Sequence, residues 1–261
     1  MVNSVLKAIQ ILEKLSPGDS MGVSDLARTL KLPKSTVFAV LETLQSEKLV
    51  EKNIQTGKYR LGIKLIELGY CAQAGLDLCR IAAPLLKGLN IRFDETVHLT
   101  VLEDDEVLYI DCIESQKRLR TYSVIGIRAP LFCTAVGKAI LAFQPEEEID
   151  RIVAEKGLPR FTANTITTKD KLHTELAKIR TDGFSIDNME HEDYLRCVGV
   201  PIRNAHDEVF ASISVSGPAE RNTMEKIMEM VPYVIQAANE ISIRLGYRKE
   251  FHHLNTKDLD V

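Results

Sequence analysis

The sequence predicts an α+β chain in two parts, a small winged helix-turn-helix followed by a larger domain of sheet and helices. Three observations predict it. Two apolar patterns between residues 23 and 44 run i, i+3, i+4, i+7 and are separated by a corner too short for any other element. From Thr96 onward the apolar period changes to two, and strand-like and helix-like stretches are then mixed to the end of the chain. Charge is also unevenly divided. Residues 1–62 hold nine Lys and Arg against six Asp and Glu, a net of +3, and the remaining 24 basic and 31 acidic residues give −7. A basic front on an acidic body suits a nucleic-acid-binding head on a domain with another task.

A first helix is expected over about residues 3–16, with Val5, Leu6, Ile9, Leu12 and Leu15 as its apolar stripe and Ser16-Pro17-Gly18 as its end. The second carries Val23, Leu26, Ala27 and Leu30; Ser24 can cap it, and Asp25 favours the positive end of its dipole. After the corner Lys31-Leu32-Pro33-Lys34, the third helix buries Val37, Val40, Leu41 and Leu44. Pro33 stands at its start, where a missing N–H costs nothing. In helix-turn-helix geometry this third helix enters the major groove by its N-terminal end. Glu51 to Leu61 reads as two short strands around Gln55-Thr56-Gly57, a basic wing over a phosphate backbone. The candidate DNA contacts are Ser24, Arg28, Lys34, Ser35, Thr36, Phe38, Lys52, Lys58 and Arg60.

Ile63 to Ala72 continues as a helix leaving the wing, and a further helix covers about Asp77 to Phe93. Strands are expected at 96–102, 107–113 and 120–125, helices at 134–143, 146–155 and 168–181, strands at 184–188, 196–203 and 208–216, and a closing helix at 219–246. The sheet is antiparallel or mixed. Ser212, Ser214 and Ser216 alternate with Ile213 and Val215, so the three hydroxyls share one face. That face is read as a half-exposed edge, with the floor of a polar pocket as the alternative.

Composition limits the remaining readings. Apolar residues are 45% and charged residues 27% of 261, as in an ordinary globular protein. No long uncharged apolar run and no basic-then-apolar leader is seen, so a cytoplasmic location and no membrane are expected. The five cysteines at 71, 79, 112, 133 and 197 form no Cys-x-x-Cys pair, which speaks against zinc or a disulfide framework. Cys197 with a histidine base (His98, His173, His191 or His206) would suggest an enzyme, but no nucleophile motif surrounds any of them. Asp187, Glu190, His191 and Glu192 lack a helical His-x3-His and are read as a solvated acidic turn, not a metal site. No cofactor, metal or catalytic residue is expected. A winged helix that binds protein instead of DNA is the second reading.

The runs "SVLKAIQILEKL", "LPKSTVFAVLETLQSEKLVEK", "GKYRLGIKLIELG", "PLFCTAVGKAILA", "GFSIDNMEHEDYLRCVGVPI" and "ASISVSGP" occur in this order. Together they resemble the IclR family of transcriptional regulators, from the first helix to about Tyr247. The resemblance implies a winged helix-turn-helix at 1–62, a linker helix at 63–76, a GAF-like mixed-sheet effector-binding domain at 77–248 and a polar tail at 249–261. It implies operator DNA as partner, homodimers or dimers of dimers, and a small organic acid as effector. The function implied is control of a carbon-catabolism operon, with repression as the reading adopted. "ETVHL", "LRTYS" and "LRCVGVP" look most like regulators of 2-keto-3-deoxygluconate and related sugar-acid pathways; an aromatic acid or activation is the alternative. Matching the family's effector pocket onto this chain gives Thr134, Ala135, Val136, Gly137, Asp187, Leu195, Cys197, Ser214 and Ser216. Two departures stand out. Phe38-Ala39 replaces a Tyr-Arg common in relatives, and Ala135-Val136 replaces the Gly-Ala of acid-binding ones.

Overall fold

The computed structural model describes residues 2–16, 20–121 and 125–248. The chain divides into two compact units, residues 1–75 and 76–261. In the first, α1 (Asn3–Leu15), α2 (Val23–Leu30) and α3 (Lys34–Ser46) are followed by the strands β1 (Val50–Lys52) and β2 (Tyr59–Leu61), then α4 (Lys64–Ala74). Ile11, Leu15, Leu26, Ala27, Val37, Leu41, Leu44, Val50 and Tyr59 make its core. The apolar patterns read for α2 and α3 supply their buried faces.

Helix α1 differs from the expected stripe. Ile11 and Leu15 are buried, whereas Val5, Leu6 and Ile9 stay exposed. The helix is apolar on two sides, and the side that packs inward is Ala8, Ile11, Leu12 and Leu15. Its expected stop at Pro17-Gly18 lies outside the described residues. Ser24 does not cap α2; Gly22 holds the cap position, without a side-chain bond. Met21 exchanges two backbone hydrogen bonds with Tyr59 of β2, at 2.9 and 2.8 Å. The cap therefore falls two residues before Ser24, which puts Ser24 inside the first turn. Pro33 holds the cap position of α3, with φ −58° and ψ 139°. The wing turn closes on Asn53, whose Oδ1 accepts the N–H groups of Gln55 and Thr56 at 2.9 and 3.0 Å.

The second unit runs α5 (Asp77–Phe93), β3 (Thr96–Glu103), β4 (Glu106–Ile113), β5 (Arg128–Pro130), α6 (Ala135–Leu141), α7 (Glu146–Lys156), α8 (Lys169–Asp182), β6 (Ser185–Asn188), β7 (Leu195–Arg203), β8 (Val209–Pro218) and α9 (Met224–Arg244). The six strands form one sheet in the order β5-β4-β3-β8-β7-β6, and every pairing is antiparallel. Of the strand expected at 120–125, residues 122–124 lie outside the described residues, and 120, 121 and 125 carry no strand. The strand beside β4 comes later, after Gly126 turns the chain at φ 90°. The closing helix begins at Met224, not 219, because Thr223 Oγ1 caps it by accepting the Lys226 N–H. Among the described residues no helix is long and apolar enough to cross a membrane.

Strand β8 sits between β3 and β7, so both its edges are paired, and helices pack on both its faces. Ile213 and Val215 join Val97, Leu99, Val198 and Val200 in a core that includes residues of α5 and α9. The hydroxyl face is not a half-exposed edge. Ser212, Ser214 and Ser216 are all buried. Ser212 Oγ donates to the Val136 carbonyl at 3.0 Å and lies 2.8 Å from Thr100 Oγ1, which pins α6 to the sheet. Helix α6 comes this close because residue 199 has no side chain. A Cβ on Gly199 would stand 2.5 Å from the Ala135 carbonyl oxygen. Ser185 Oγ donates to that same oxygen at 2.5 Å. Gly199→Ala is expected to push α6 outward and to destabilise the domain by about 1–3 kcal/mol, the usual cost of overpacking. Urea denaturation measures this, and an unchanged midpoint would mean that α6 is not seated so tightly.

Candidate functional site

The first candidate surface is on the head. Ser24, Arg28, Lys34, Ser35, Phe38, Lys52, Lys58 and Arg60 are exposed, and Thr36 is half-buried. Lys34, Ser35 and Thr36 form the first turn of α3, where N–H groups lack intrahelical acceptors and the dipole is positive. The wing register brings Lys52, Lys58 and Arg60 together around one shallow depression. These cations are not equivalent. Arg28 is paired with Asp25 at 2.8 Å, and Arg60 with Glu51 at 2.8 Å. Lys52 leans over the Tyr59 ring at 5.4 Å. Among the described residues Lys34, Lys52 and Lys58 have no ion-pair partner, so their ammonium groups can meet an outside anion without first giving up a carboxylate.

The second candidate site is a cavity of about 200 Å³ in the larger unit, between the start of α6, the hydroxyl face of the sheet and the end of β6. Thr134, Ala135, Val136, Asp187, Leu195, Cys197, Ser214 and Ser216 all line it. Gly137 does not. Its N–H is taken by Thr134 Oγ1 at 3.0 Å, and a Cβ there would meet the Leu131 backbone at 2.6 Å. Gly137 therefore lets α6 pack and does not touch the cavity. Thr134 caps the helix, and its carbonyl accepts the Lys138 N–H at 2.9 Å. The N–H groups of Ala135 and Val136 are left without an intrahelical acceptor.

Ser214 and Ser216 stand with a histidine that sequence reasoning did not assign to the site. His98 Nδ1 is 3.2 Å from Ser214 Oγ and 3.3 Å from Ser216 Oγ. The imidazole is fully buried, which lowers its pKa to about 4, so it is neutral. Tyr109 packs edge-on against it, 5.2 Å between centroids. The strand register held the signal for His98, which pairs with Ser214 on the hydroxyl face. Thr121 is another lining residue sequence reasoning missed; its Oγ1 is buried with no hydrogen-bond partner among the described residues. It lies in the run "LRTYS", which reads in sequence as a strand and is not thereby brought to the pocket.

At the other end, Asp187 is buried, and its pKa is pushed up to about 7 by burial first, with the charge of Glu190 adding. Its Oδ1 accepts the Glu190 N–H at 2.7 Å. The turn at 187–192 is therefore not a solvated acidic turn. Asp187 and Glu190 are buried in it, and Lys138 Nζ meets Glu190 Oε1 at 2.5 Å. Among the described residues no cluster has the composition of a metal site. Burial raises the Cys197 thiol well above the ordinary range, so it is a thiol and not a nucleophilic thiolate. Ala135, Leu195 and Cys197 pack into a small apolar wall. The cavity thus offers neutral donors at one end, a carboxyl at the other, and an apolar wall. It is smaller than the ~300–1,000 Å³ that suits drug-sized ligands, so it fits a compact one.

Family models match both units: the IclR helix-turn-helix domain over residues 4–53, and the bacterial transcriptional regulator IclR C-terminal domain over residues 72–243. The chain is 37% identical to the HTH-type transcriptional regulator KdgR of Escherichia coli over 246 residues, 94% of each chain. It is 32% identical to the transcriptional repressor IclR of the same organism, over 94% of this chain and 90% of that one. Among solved structures, the Thermotoga maritima IclR superposes with a TM-score of 0.75 at 35% identity, covering 95% of this chain and 100% of the other. An IclR homologue from Microbacterium hydrocarbonoxydans, complexed with 4-hydroxybenzoate, superposes with a TM-score of 0.81 at 26% identity, covering 93% and 99%.

Proposed function

Because this chain belongs to the IclR family of bacterial transcriptional regulators, we propose that its regulatory signal is a small hydroxylated or keto acid bound in the cavity between α6 and Asp187. The protein is a DNA-binding regulator with a C-terminal effector domain. The observation that carries the proposal is the polarity of that cavity. A carboxylate fits against the free N–H groups of Ala135 and Val136, with hydroxyl donors from Ser214 and Ser216. Asp187 in its ionised form accepts from a ligand hydroxyl or hydrated carbonyl. Among the described residues no lining side chain presents a cation to a second carboxylate. Among the residues bordering the cavity the one arginine is Arg128, which donates outward to the Glu103 carbonyl at 2.6 Å and pairs with Asp104. A monoacid carrying hydroxyl groups is favoured over a diacid.

On the head, Lys34, Ser35, Thr36 and Lys58 hold the DNA backbone, with Ser24, Arg28, Phe38, Lys52 and Arg60 around them. The exposed Val5, Leu6 and Ile9 of α1 are the surface through which two heads pair as a homodimer. Control of a sugar-acid operon rests on the runs "ETVHL", "LRTYS" and "LRCVGVP", and repression on the relative named a repressor. The operon's position relative to the operator decides between repression and activation.

The test is a thermal-shift screen of purified protein against pyruvate, glyoxylate, gluconate, 2-keto-3-deoxygluconate, protocatechuate and 4-hydroxybenzoate. The last is included because the Microbacterium homologue holds it. Binding to the native state alone raises Tm, by ~2.7 kcal/mol of stability at a ligand concentration of 100 Kd. A sugar or keto acid is expected to give the largest shift. A shift with the aromatic acids alone moves the reading to an aromatic effector, and no shift with any acid removes it.

A further inference from the structure

Lys138 is fully buried, an uncommon place for an ammonium ion. It lies on α6 four residues after Thr134, the helix cap at the cavity's donor end. Its Nζ donates to Glu190 Oε1 at 2.5 Å, to the Ile186 carbonyl at 2.7 Å and to Glu175 Oε1 at 3.2 Å. An ammonium has three protons, and all three are used. Two of the three acceptors belong to the segment that carries Asp187. Ile186 precedes it on β6, and Glu190 donates its backbone N–H to Asp187 Oδ1 at 2.7 Å. Lys138 does not itself line the cavity. One buried cation therefore ties the cavity's donor end, on α6, to its acceptor end, on the β6 turn.

We infer that Lys138 is the positioning residue that sets the span between the N–H groups of α6 and the carboxyl of Asp187, and thereby selects the length of the acid that is bound. The inference rests on the reading of this cavity as the effector site. The turn has other anchors: Thr162 Oγ1 donates to the Met189 carbonyl at 2.7 Å, and Thr165 Oγ1 to the Glu190 carbonyl at 2.6 Å. These hold the turn to the 160–167 loop, and Ser185 Oγ ties the start of β6 to the Ala135 carbonyl of α6; among the described residues Lys138 is the α6 side chain that reaches the turn beyond Asp187. A cation placed there for stability alone is a poor device, because the desolvation of a buried ion pair offsets much of its attraction.

The test compares gluconate, long enough to use both ends, with pyruvate, which needs only the donor end. Isothermal titration gives both affinities for the wild type, Lys138→Met/Glu190→Gln and Glu175→Gln. The double variant removes the cation without leaving Glu190 as an uncompensated buried charge, and Glu175 is the half-exposed partner. The wild type is expected to prefer gluconate. In the double variant that preference is expected to fall about tenfold, the equivalent of ~1.4 kcal/mol, with the pyruvate affinity little changed. Glu175→Gln should shift the ratio in the same direction by less, and it carries the test if the double variant does not fold. A merely structural role would weaken both acids together and leave the ratio alone. A wild-type preference that survives in the variants overturns the role of Lys138 and leaves the site standing. A wild type that binds neither acid overturns both.

Discussion

Asp187→Asn is expected to weaken binding of a hydroxylated acid by roughly 10- to 100-fold, the loss of one hydrogen bond to a charged group in a dry site. Asparagine still accepts the Glu190 N–H through its Oδ1, so the main anchor of the turn is kept while the charge is removed. Operator affinity without acid is expected to stay at the wild-type value. Titration of wild type and variant with the acid, followed by DNA binding with and without it, measures this. A variant that responds at the wild-type concentration would sink the proposed pocket.

The same residue gives the response a pH dependence with a definite sign. Asp187 titrates near 7, and the ligand hydroxyl needs its ionised form. Affinity is therefore expected to be greatest above pH 7 and to fall toward tenfold per unit below it, while Asp187→Asn shows no such slope. A ligand-free consequence has its own sign. The folded pKa is raised above the unfolded value, so stability from this group is fully present below about 4 and is lost as pH rises through 7. Asp187→Asn should accordingly gain Tm relative to wild type as pH goes from 5 to 8. About 1 kcal/mol corresponds to ~2–4 °C in a domain of 150–250 residues. A gain that shrinks over this range would refute the assignment.

The second large effect is expected on the head. Lys34→Ala with Lys58→Ala should weaken binding to all DNA sequences alike and make the salt dependence shallower by about 1.8, at ~0.9 for each phosphate no longer neutralised. Lys58→Ala alone should account for about 1 of this. Both side chains are exposed and free of internal ion pairs, so the substitutions leave the core of the head untouched. Fluorescence anisotropy at several salt concentrations gives the slopes. An unchanged slope in the double variant places both lysines outside the interface.

Much of the fold is legible in the sequence because it depends on local periodicity. The buried faces of α2 and α3 and the β8 alternation of Ile213 and Val215 against Ser212, Ser214 and Ser216 are patterns of neighbouring residues. Sequence and structure part where tertiary partners decide. Two apolar sides of α1 compete, and only packing shows that Ile11 wins over Val5 and Ile9. Ser24 reads as a cap because capping is local, but the Met21–Tyr59 bridge sets the start of α2 from across the wing. The hydroxyl face of β8 reads as exposed because sequence does not say that α6 packs on it. For the cavity, resemblance supplies Asp187, Thr134 and the serines. It does not supply His98 or Thr121, nor the exclusion of Gly137, since these follow from strand register, loop placement and a capping bond.

The pairs Arg28–Asp25 and Arg60–Glu51 have a consequence for target search. Each arginine already has a carboxylate at 2.8 Å, so it can reach a phosphate only by exchanging one anion for another. On arbitrary DNA that exchange is expected to gain little, which leaves the contact to the lysines that have no carboxylate partner. At the operator, where the recognition helix is seated, both exchanges can be completed together. A genome offers roughly 10⁶–10⁹ competing sites, so a surface that neutralises part of its own charge spends less of its time on the wrong ones.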